Sequence, residues 1–76
     1  MDTVDRIVRD PAVMTGRACI RGTRVTVATI LGQLAAGHSV AHVLDAYPYL
    51  EEADIRAALA YAAWRVEEFE LPIPAA

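Results

Sequence analysis

The stretch from Arg21 to Ser39 constrains the fold more than any other part of this sequence. Thr26 is expected to cap a helix, because its hydroxyl can accept hydrogen bonds from the free N–H groups of a first turn. Gly37 lies where a left-handed residue ends a helix, and Ser39 is placed to cap a second one. Two short helices with a glycine between them indicate the front half of a helix-turn-helix unit. Apolar residues follow one face of the first helix at the 3.6-residue period: Val27, Ile30, Leu31, Leu34 and Ala35.

Length and composition limit the remaining possibilities. The 76 residues are enough for one small domain, which buries only roughly 60% of the surface of its unfolded chain. A single cysteine excludes an intrachain disulfide framework, and no Cys/His cluster offers a structural zinc site. No apolar run is long enough to span a membrane, and the first residues do not resemble a signal peptide. We therefore expect a cytoplasmic protein reinforced by dense helix packing or by a partner chain.

Charge is distributed unevenly along the chain. The net charge is −3, which argues against unaided, non-specific binding to nucleic acid. Residues 1–30 carry five arginines against three aspartates, whereas residues 31–76 carry two arginines against seven acids. There is no lysine. Arginine favours bidentate contacts with carboxylates or phosphates, so the front of the chain is the more suitable part for binding anions.

The rest of the chain predicts a short β segment and two more helices. Residues 7–9 and 18–20 are compatible with strands and are separated by turn signals. A second helix over residues 40–46 is stopped by Pro48, and a long third helix covers about 52–70. The predicted fold is mostly α, a three-helix bundle of the helix-turn-helix type behind a two-stranded β segment. It forms a single domain, 1–76, with its β segment and turns in 1–22, its three helices in 23–70 and an extended tail in 71–76.

The third helix carries two apolar stripes. The stripe assigned to the core comprises Ile55, Ala58, Leu59, Ala62, Val66 and Phe69. The second stripe comprises Ala53, Ala57, Ala60, Tyr61 and Trp64. A helix that is apolar on two faces is usually buried on both, so we expect the second stripe, through Ala53, Ala57, Tyr61 and Trp64, to meet another copy or a partner protein. The alternative is that the N-terminal strands fold over this stripe within one chain.

The order of these motifs resembles one known family. The pattern runs Asp10-Pro-x-Val, Gly16-Arg, Ile20-x-Gly-Thr-Arg-Val-x-Val, Leu34-Ala-x-Gly-x-Ser, Val43-Leu-x-x-Tyr-Pro-x-Leu and Asp54-Ile-x-x-Ala-Leu-x-Tyr-Ala. It is similar to the domain-of-unknown-function 433 family over about residues 7 to 63, with Ala18 where that family commonly has proline. The resemblance implies a homeodomain-like three-helix fold behind a short β segment. It implies an antitoxin of a type II toxin–antitoxin pair, similar to those of the VapBC group. It also implies a PIN-like nuclease toxin encoded nearby, repression of the shared operon, and no catalytic residues.

The residues support DNA binding only in part. In a helix-turn-helix the helix after the turn enters the major groove with its N-terminal residues, yet here that helix opens with acids and offers only Arg56 as a base reader. Phosphate contacts are expected instead near the entry to the first helix. The alternative is that Arg21 and Arg24 are structural and pair with acids or carbonyls of this chain. The predicted DNA-binding residues are Arg17, Arg21, Thr23, Arg24 and Arg56.

The tail after the third helix alternates acids with apolar residues. Phe69, Leu71 and Ile73 lie among three glutamates and two prolines, so an acidic, extended segment is predicted. Such a segment would suit the basic RNA-binding cleft of a toxin. The alternative is a frayed terminus, as in any domain.

No set of residues points to catalysis. His38 and His42 lie four apart, as metal ligands on a helix can, but a third ligand is missing, so no metal or cofactor is expected. Ser39, His42 and Asp45 lack an oxyanion hole and a strained nucleophile. The sequence therefore predicts a binding protein and not an enzyme. Its leading function is that of an antitoxin, and the alternative is a DNA-binding regulator or adaptor without a toxin, with a homo-oligomer expected.

Overall fold

A computed structural model describes residues 5–12 and 16–69 of the chain. Within these residues the predicted architecture is confirmed, with a small antiparallel sheet followed by three helices. No helix in this part of the chain is both long and apolar enough to cross a membrane. The elements are β1 (Ile7–Arg9), β2 (Ala18–Ile20), α1 (Val27–Ala35), α2 (Val40–Ala46) and α3 (Glu52–Phe69).

The two strands pair as predicted. Ile7 lies opposite Ile20, and Val8 lies opposite Cys19. Past the strand end, the N–H of Arg21 donates to the carbonyl of Arg6 at 2.8 Å and extends the pairing. A two-stranded sheet is marginally stable alone, and this one is stabilised by burying Cys19 and Ile20 against the helices.

Both predicted N-caps are present. Thr26 has extended backbone angles, and its hydroxyl accepts from the N–H of Thr29 at 3.0 Å. Ser39 is also extended and accepts from the N–H of His42 at 3.0 Å. Each hydroxyl satisfies a backbone donor that has no partner inside its own helix, which fixes where α1 and α2 begin.

Gly37 ends α1 in the predicted left-handed conformation, with φ of 97°. Its N–H donates to the carbonyl of Leu34 at 3.0 Å, and the N–H of His38 donates to the carbonyl of Gln33 at 3.1 Å. These two bonds define a Schellman motif, which satisfies the last carbonyls of α1. The chain then reverses into α2 within three residues.

The core lies where β2, α1, α2 and the first half of α3 meet. Ile30 and Val43 are fully enclosed, and Leu31 and Leu34 are half-buried at its edge. Ala35, which the helical period assigned to the buried face, is exposed because the end of α1 extends past the core. The core residues are Ile20, Val25, Val27, Ile30, Val43, Leu50, Ile55 and Ala58.

The predicted orientation of α3 is wrong in part. Ile55 and Ala58 are buried as predicted, but Leu59 and Val66 are exposed. Ala57, assigned to the second stripe, is buried in the chain's own core at 1% exposure. The buried side of α3 is centred between the two stripes, on the side that carries Asp54. Asp54 belongs to neither of the two predicted stripes.

Asp54 is buried because both of its carboxylate oxygens have partners. Oδ1 accepts from Nη1 of Arg6 at 2.8 Å, and Oδ2 accepts from the N–H of Glu51 at 2.8 Å. The second bond is one half of a capping box, in which the third helical residue satisfies the N-cap donor. Arg6 thereby ties the start of the β segment to the start of α3, and Glu51 adds a longer exposed ion pair to it at 3.5 Å.

Candidate partner-binding surfaces

The second half of α3 projects beyond the core. From Leu59 to Glu67 no residue is fully buried, and only Tyr61, Ala62 and Arg65 are even half-buried. Five of the seven residues from 52 to 58 are buried or half-buried, so burial falls off along the helix. A helix that continues for more than two turns past its own core presents its side chains to solvent or to a partner.

Apolar side chains dominate this projecting part. Leu59, Ala63 and Val66 lie at i, i+4 and i+7, which places them on one side of the helix. Leu59 is 46% exposed and Val66 is 59% exposed. We define the outer face of α3 as Leu59, Ala60, Ala63 and Val66, all of which are exposed.

Trp64 lies on the flank of the outer face. It is 53% exposed, and its ring lies 6.0 Å from that of Tyr61, centroid to centroid. Tyr61 is half-buried and packs against the core, so it supports the tryptophan. A large, exposed aromatic side chain held by a packed neighbour has the features of an interface anchor.

The other predicted interface residues are divided by the structure. Ala53 is half-buried, and Ala57 contributes to the core and offers no surface to a partner. The predicted interface stripe is therefore reduced to Trp64 and the exposed edges of Ala53 and Tyr61. The side chain of Phe69 and the whole of Leu71 and Ile73 lie outside the described residues.

The structure also forms a groove that the sequence did not predict. It runs between the β segment, α1 and α3, and its rim carries Arg9, Arg17 and Arg65. We call it the arginine groove. Arg9 is held in place by donating from Nε to the carbonyl of Gly16 at 3.0 Å. The walls are mostly apolar and include Ala18, Val27, Leu31, Tyr61 and Ala62. Arg65 is far from Arg9 and Arg17 along the chain, so no local motif indicated that the three arginines share a groove.

The predicted DNA-binding arginines do not share one cleft. Arg17 lines the arginine groove, Arg24 lines a cleft beside Asp10, and Arg21 lines a third beside Asp5. All three arginines are exposed, and none forms an ion pair within residues 5–12 and 16–69. The alternative that Arg21 and Arg24 pair with acids of this chain has no support in that part of the structure.

Thr23 has a structural role in the turn before α1. Its hydroxyl donates to the carbonyl of Ile20 at 2.8 Å and accepts from the N–H of Val25 at 3.0 Å. Both partners are on its own chain. A DNA phosphate would have to compete with these two bonds for the hydroxyl.

The start of α3 is a poor surface for DNA. Arg56, the predicted base reader, forms an exposed ion pair with Glu52 one turn earlier, at 3.4 Å. Glu51 and Asp54 add two more carboxylates at the same end of the helix. This concentration of negative charge opposes the approach of a phosphate backbone.

His38, which precedes α2, and His42, which lies on it, do not form a metal site in the described residues. The rings of His38 and His42 stack at 4.2 Å, nearly parallel at 14°. Within residues 5–12 and 16–69, no group of three or more His, Cys, Asp or Glu side chains could hold an ion. The pair is thus a stacked surface contact.

Comparison with known proteins gives a family and one relative of unknown activity. Residues 7–62 match the family model described as "Protein of unknown function (DUF433)". A protein of Sinorhizobium fredii, described as "Uncharacterized protein y4eO", is 41% identical over 56 residues. That match covers 74% of this chain and 25% of the relative, so the chain spans about a quarter of the length of the curated protein it matches. No solved structure matches the chain.

Proposed function

The chain belongs to the DUF433 family, and we propose that it is the antitoxin of a type II toxin–antitoxin pair. In this proposal it binds and neutralises a PIN-like ribonuclease encoded beside it, in the cytoplasm, and represses their shared operon. The observation that carries the proposal is the projecting half of α3, on which Trp64 is 53% exposed and is held by its packed neighbour Tyr61.

The projecting helix supports a protein partner more strongly than a small ligand. Exposed Trp64 lies on a rigid helix and not on a loop, which keeps the entropy lost on binding low. Monomeric proteins rarely leave contiguous apolar surface of this kind without a binding role. An antitoxin must hold a folded partner protein, and a helix with apolar side chains on its outside suits that task.

The charge distribution supports the second half of the proposed activity. Arg17, Arg21 and Arg24 are exposed near the entry to α1. Arg21 lines a cleft that also contains Glu51 and Asp54, whereas neither acid lines the clefts of Arg17 and Arg24. We propose that DNA phosphates contact these arginines and that α3 does not read the major groove with its acidic N-terminus. Backbone-dominated binding of this kind depends strongly on salt.

Toxin binding is tested with the product of the adjacent gene. Light scattering after size-exclusion chromatography should show a stable mixed complex, and Trp64→Glu should weaken it. Tyr49→Glu is the matched control, because Tyr49 is an aromatic residue of similar exposure, 63%, at the other end of the bundle. Deleting residues 70–76 separately tests the acidic tail. A neighbour that does not bind the wild-type chain would contradict the antitoxin proposal.

DNA binding is tested on the chain's own promoter. Arg21→Ala/Arg24→Ala should lower the affinity and flatten its dependence on salt, because two phosphate contacts are lost. Arg56→Ala serves as the control on the acidic end of α3. Unchanged affinity and salt dependence in the double variant would refute this placement of the DNA contact. A chain that binds its promoter but not the neighbouring protein would favour the second candidate function, a stand-alone regulator. That candidate is also supported by Arg21 and Arg24, which form no ion pair within the described residues.

A further inference from the structure

We infer that the outer face of α3 packs against the same face of a second copy of this chain. In this dimer the two α3 helices are antiparallel and cross near Ala60 and Ala63. The inference goes beyond the proposed function, because it concerns the chain alone. It rests on the exposure of the outer face, on the spacing of its residues and on the two charges that border it.

The spacing suits helix-to-helix packing. Arg56, Leu59, Ala63 and Val66 repeat alternately at three and four residues, the pattern that keeps one seam of a helix turned toward a partner helix. Leu59 and Val66 supply apolar area on the two sides of Ala63. The small alanines in the middle allow the two backbones to approach closely, so the larger side chains can interlock around them.

The bordering charges identify the occupant as a second copy. Arg56 lies at one end of the outer face and Glu67 at the other, and both are exposed. The point midway between them along the helix is also midway between Ala60 and Ala63. A two-fold axis through that point places Arg56 of each copy beside Glu67 of the partner subunit. A two-fold contact must be self-complementary, and this face is complementary to itself only in the antiparallel direction.

The competing arrangements leave charges unmatched. A parallel pair would bring Arg56 against its own counterpart and Glu67 against its own. The existing ion pair with Glu52 does not remove Arg56 from the surface, because its side chain remains 74% exposed. Trp64 lies on the flank of the outer face, and the arginine groove shares Val66 with that face, so the dimer contact borders both.

A charge-exchange experiment tests the arrangement. The wild-type chain should form a dimer of twice its 8.2 kDa mass in sedimentation equilibrium. Arg56→Glu and Glu67→Arg should each raise the dimer dissociation constant about tenfold or more, because each change turns two exposed ion pairs into like-charge contacts. An equimolar mixture of the two variants should dimerise again, since a mixed pair restores both contacts. Arg24→Glu, the same charge change away from the face, should leave dimerisation unchanged.

A second variant keeps the apolar part of the inference testable. Leu59→Glu, at an exposed position that does not affect folding of the core, should also dissociate the dimer. A wild-type chain that stays monomeric would overturn the inference. If the outer face is buried only after the neighbouring protein is added, the inference is also wrong and the face belongs to the toxin contact. Variants that dissociate individually but do not recombine would refute the antiparallel pairing. All of these measurements use the chain without toxin or DNA, so their failure is distinguishable from failure of the antitoxin proposal.

Discussion

Replacing Asp54 tests the contact that links the start of the β segment to the start of α3. The carboxylate is 6% exposed, and it binds Arg6 and the N–H of Glu51, both at 2.8 Å. Asp54→Ala removes both bonds without adding bulk. The N–H of Glu51 then loses its cap, and Arg6 loses its buried partner.

The expected loss follows from the exposure of each group. A lost capping bond costs about 1 kcal/mol. A hydrogen bond to a charged group contributes about 1.5–3 kcal/mol when buried, but Arg6 is 31% exposed and is solvated again, so we expect about 1 kcal/mol from it. The total is about 2 kcal/mol, which lowers the melting temperature of a domain of this size by roughly 8–16 °C.

Urea titration followed by far-ultraviolet circular dichroism measures this loss, with all variants at one protein concentration because self-association would shift the midpoint. Glu51→Gln is the control, since its ion pair with Arg6 is longer and exposed and should contribute less than about 0.5 kcal/mol. A double-mutant cycle of Arg6→Ala with Asp54→Ala should give a coupling of about 1 kcal/mol. An Asp54→Ala variant no less stable than Glu51→Gln would refute the assigned role of the carboxylate.

Two further predictions concern the glycines in and just after α1 and the N-caps. Gly37→Ala should destabilise the chain by about 1 kcal/mol because the glycine has φ of 97°. Gly32→Ala should stabilise it by about 0.5–1 kcal/mol, because Gly32 lies in the middle of α1, is exposed and has open space around it. Equal effects of the two substitutions in thermal melts would contradict this prediction. Thr26→Val keeps the shape but removes the acceptor for the N–H of Thr29 and should cost about 1–2 kcal/mol in urea titration. Ser39→Ala removes an exposed N-cap and should lower the stability by less than Thr26→Val. A larger loss for Ser39→Ala would contradict the greater contribution assigned to the buried cap at Thr26.

Dimerisation and toxin binding would use different sides of the same helix. The outer face would join two copies through Leu59, Ala63 and Val66, while Trp64 on its flank stays outside that contact. A Trp64→Glu variant should therefore still dimerise while losing the toxin, and sedimentation of that variant alone measures the first part. Loss of both activities together would indicate one shared surface.

Local signals in the sequence were sufficient to predict the order of the helices and strands and the residues at which they begin and end. Thr26, Ser39 and Gly37 act through bonds to residues no more than five positions away, so their roles follow from neighbouring residues alone. The paired strands at 7–9 and 18–20 also follow from local composition and turn signals. The predicted membership of the DUF433 family was confirmed over residues 7–62.

Tertiary structure alone decided which side of α3 is buried and which arginines meet. Two apolar stripes on one helix give two nearly equivalent orientations, and the hydrophobic period does not choose between them. The choice depends on Arg6, which lies 48 residues from Asp54 and makes burial of that carboxylate favourable. The same packing buries Ala57, exposes Leu59 and Val66, and brings Arg9 and Arg65 to one groove. Periodicity records the spacing of side chains along one helix, whereas burial depends on what the rest of the chain places against it.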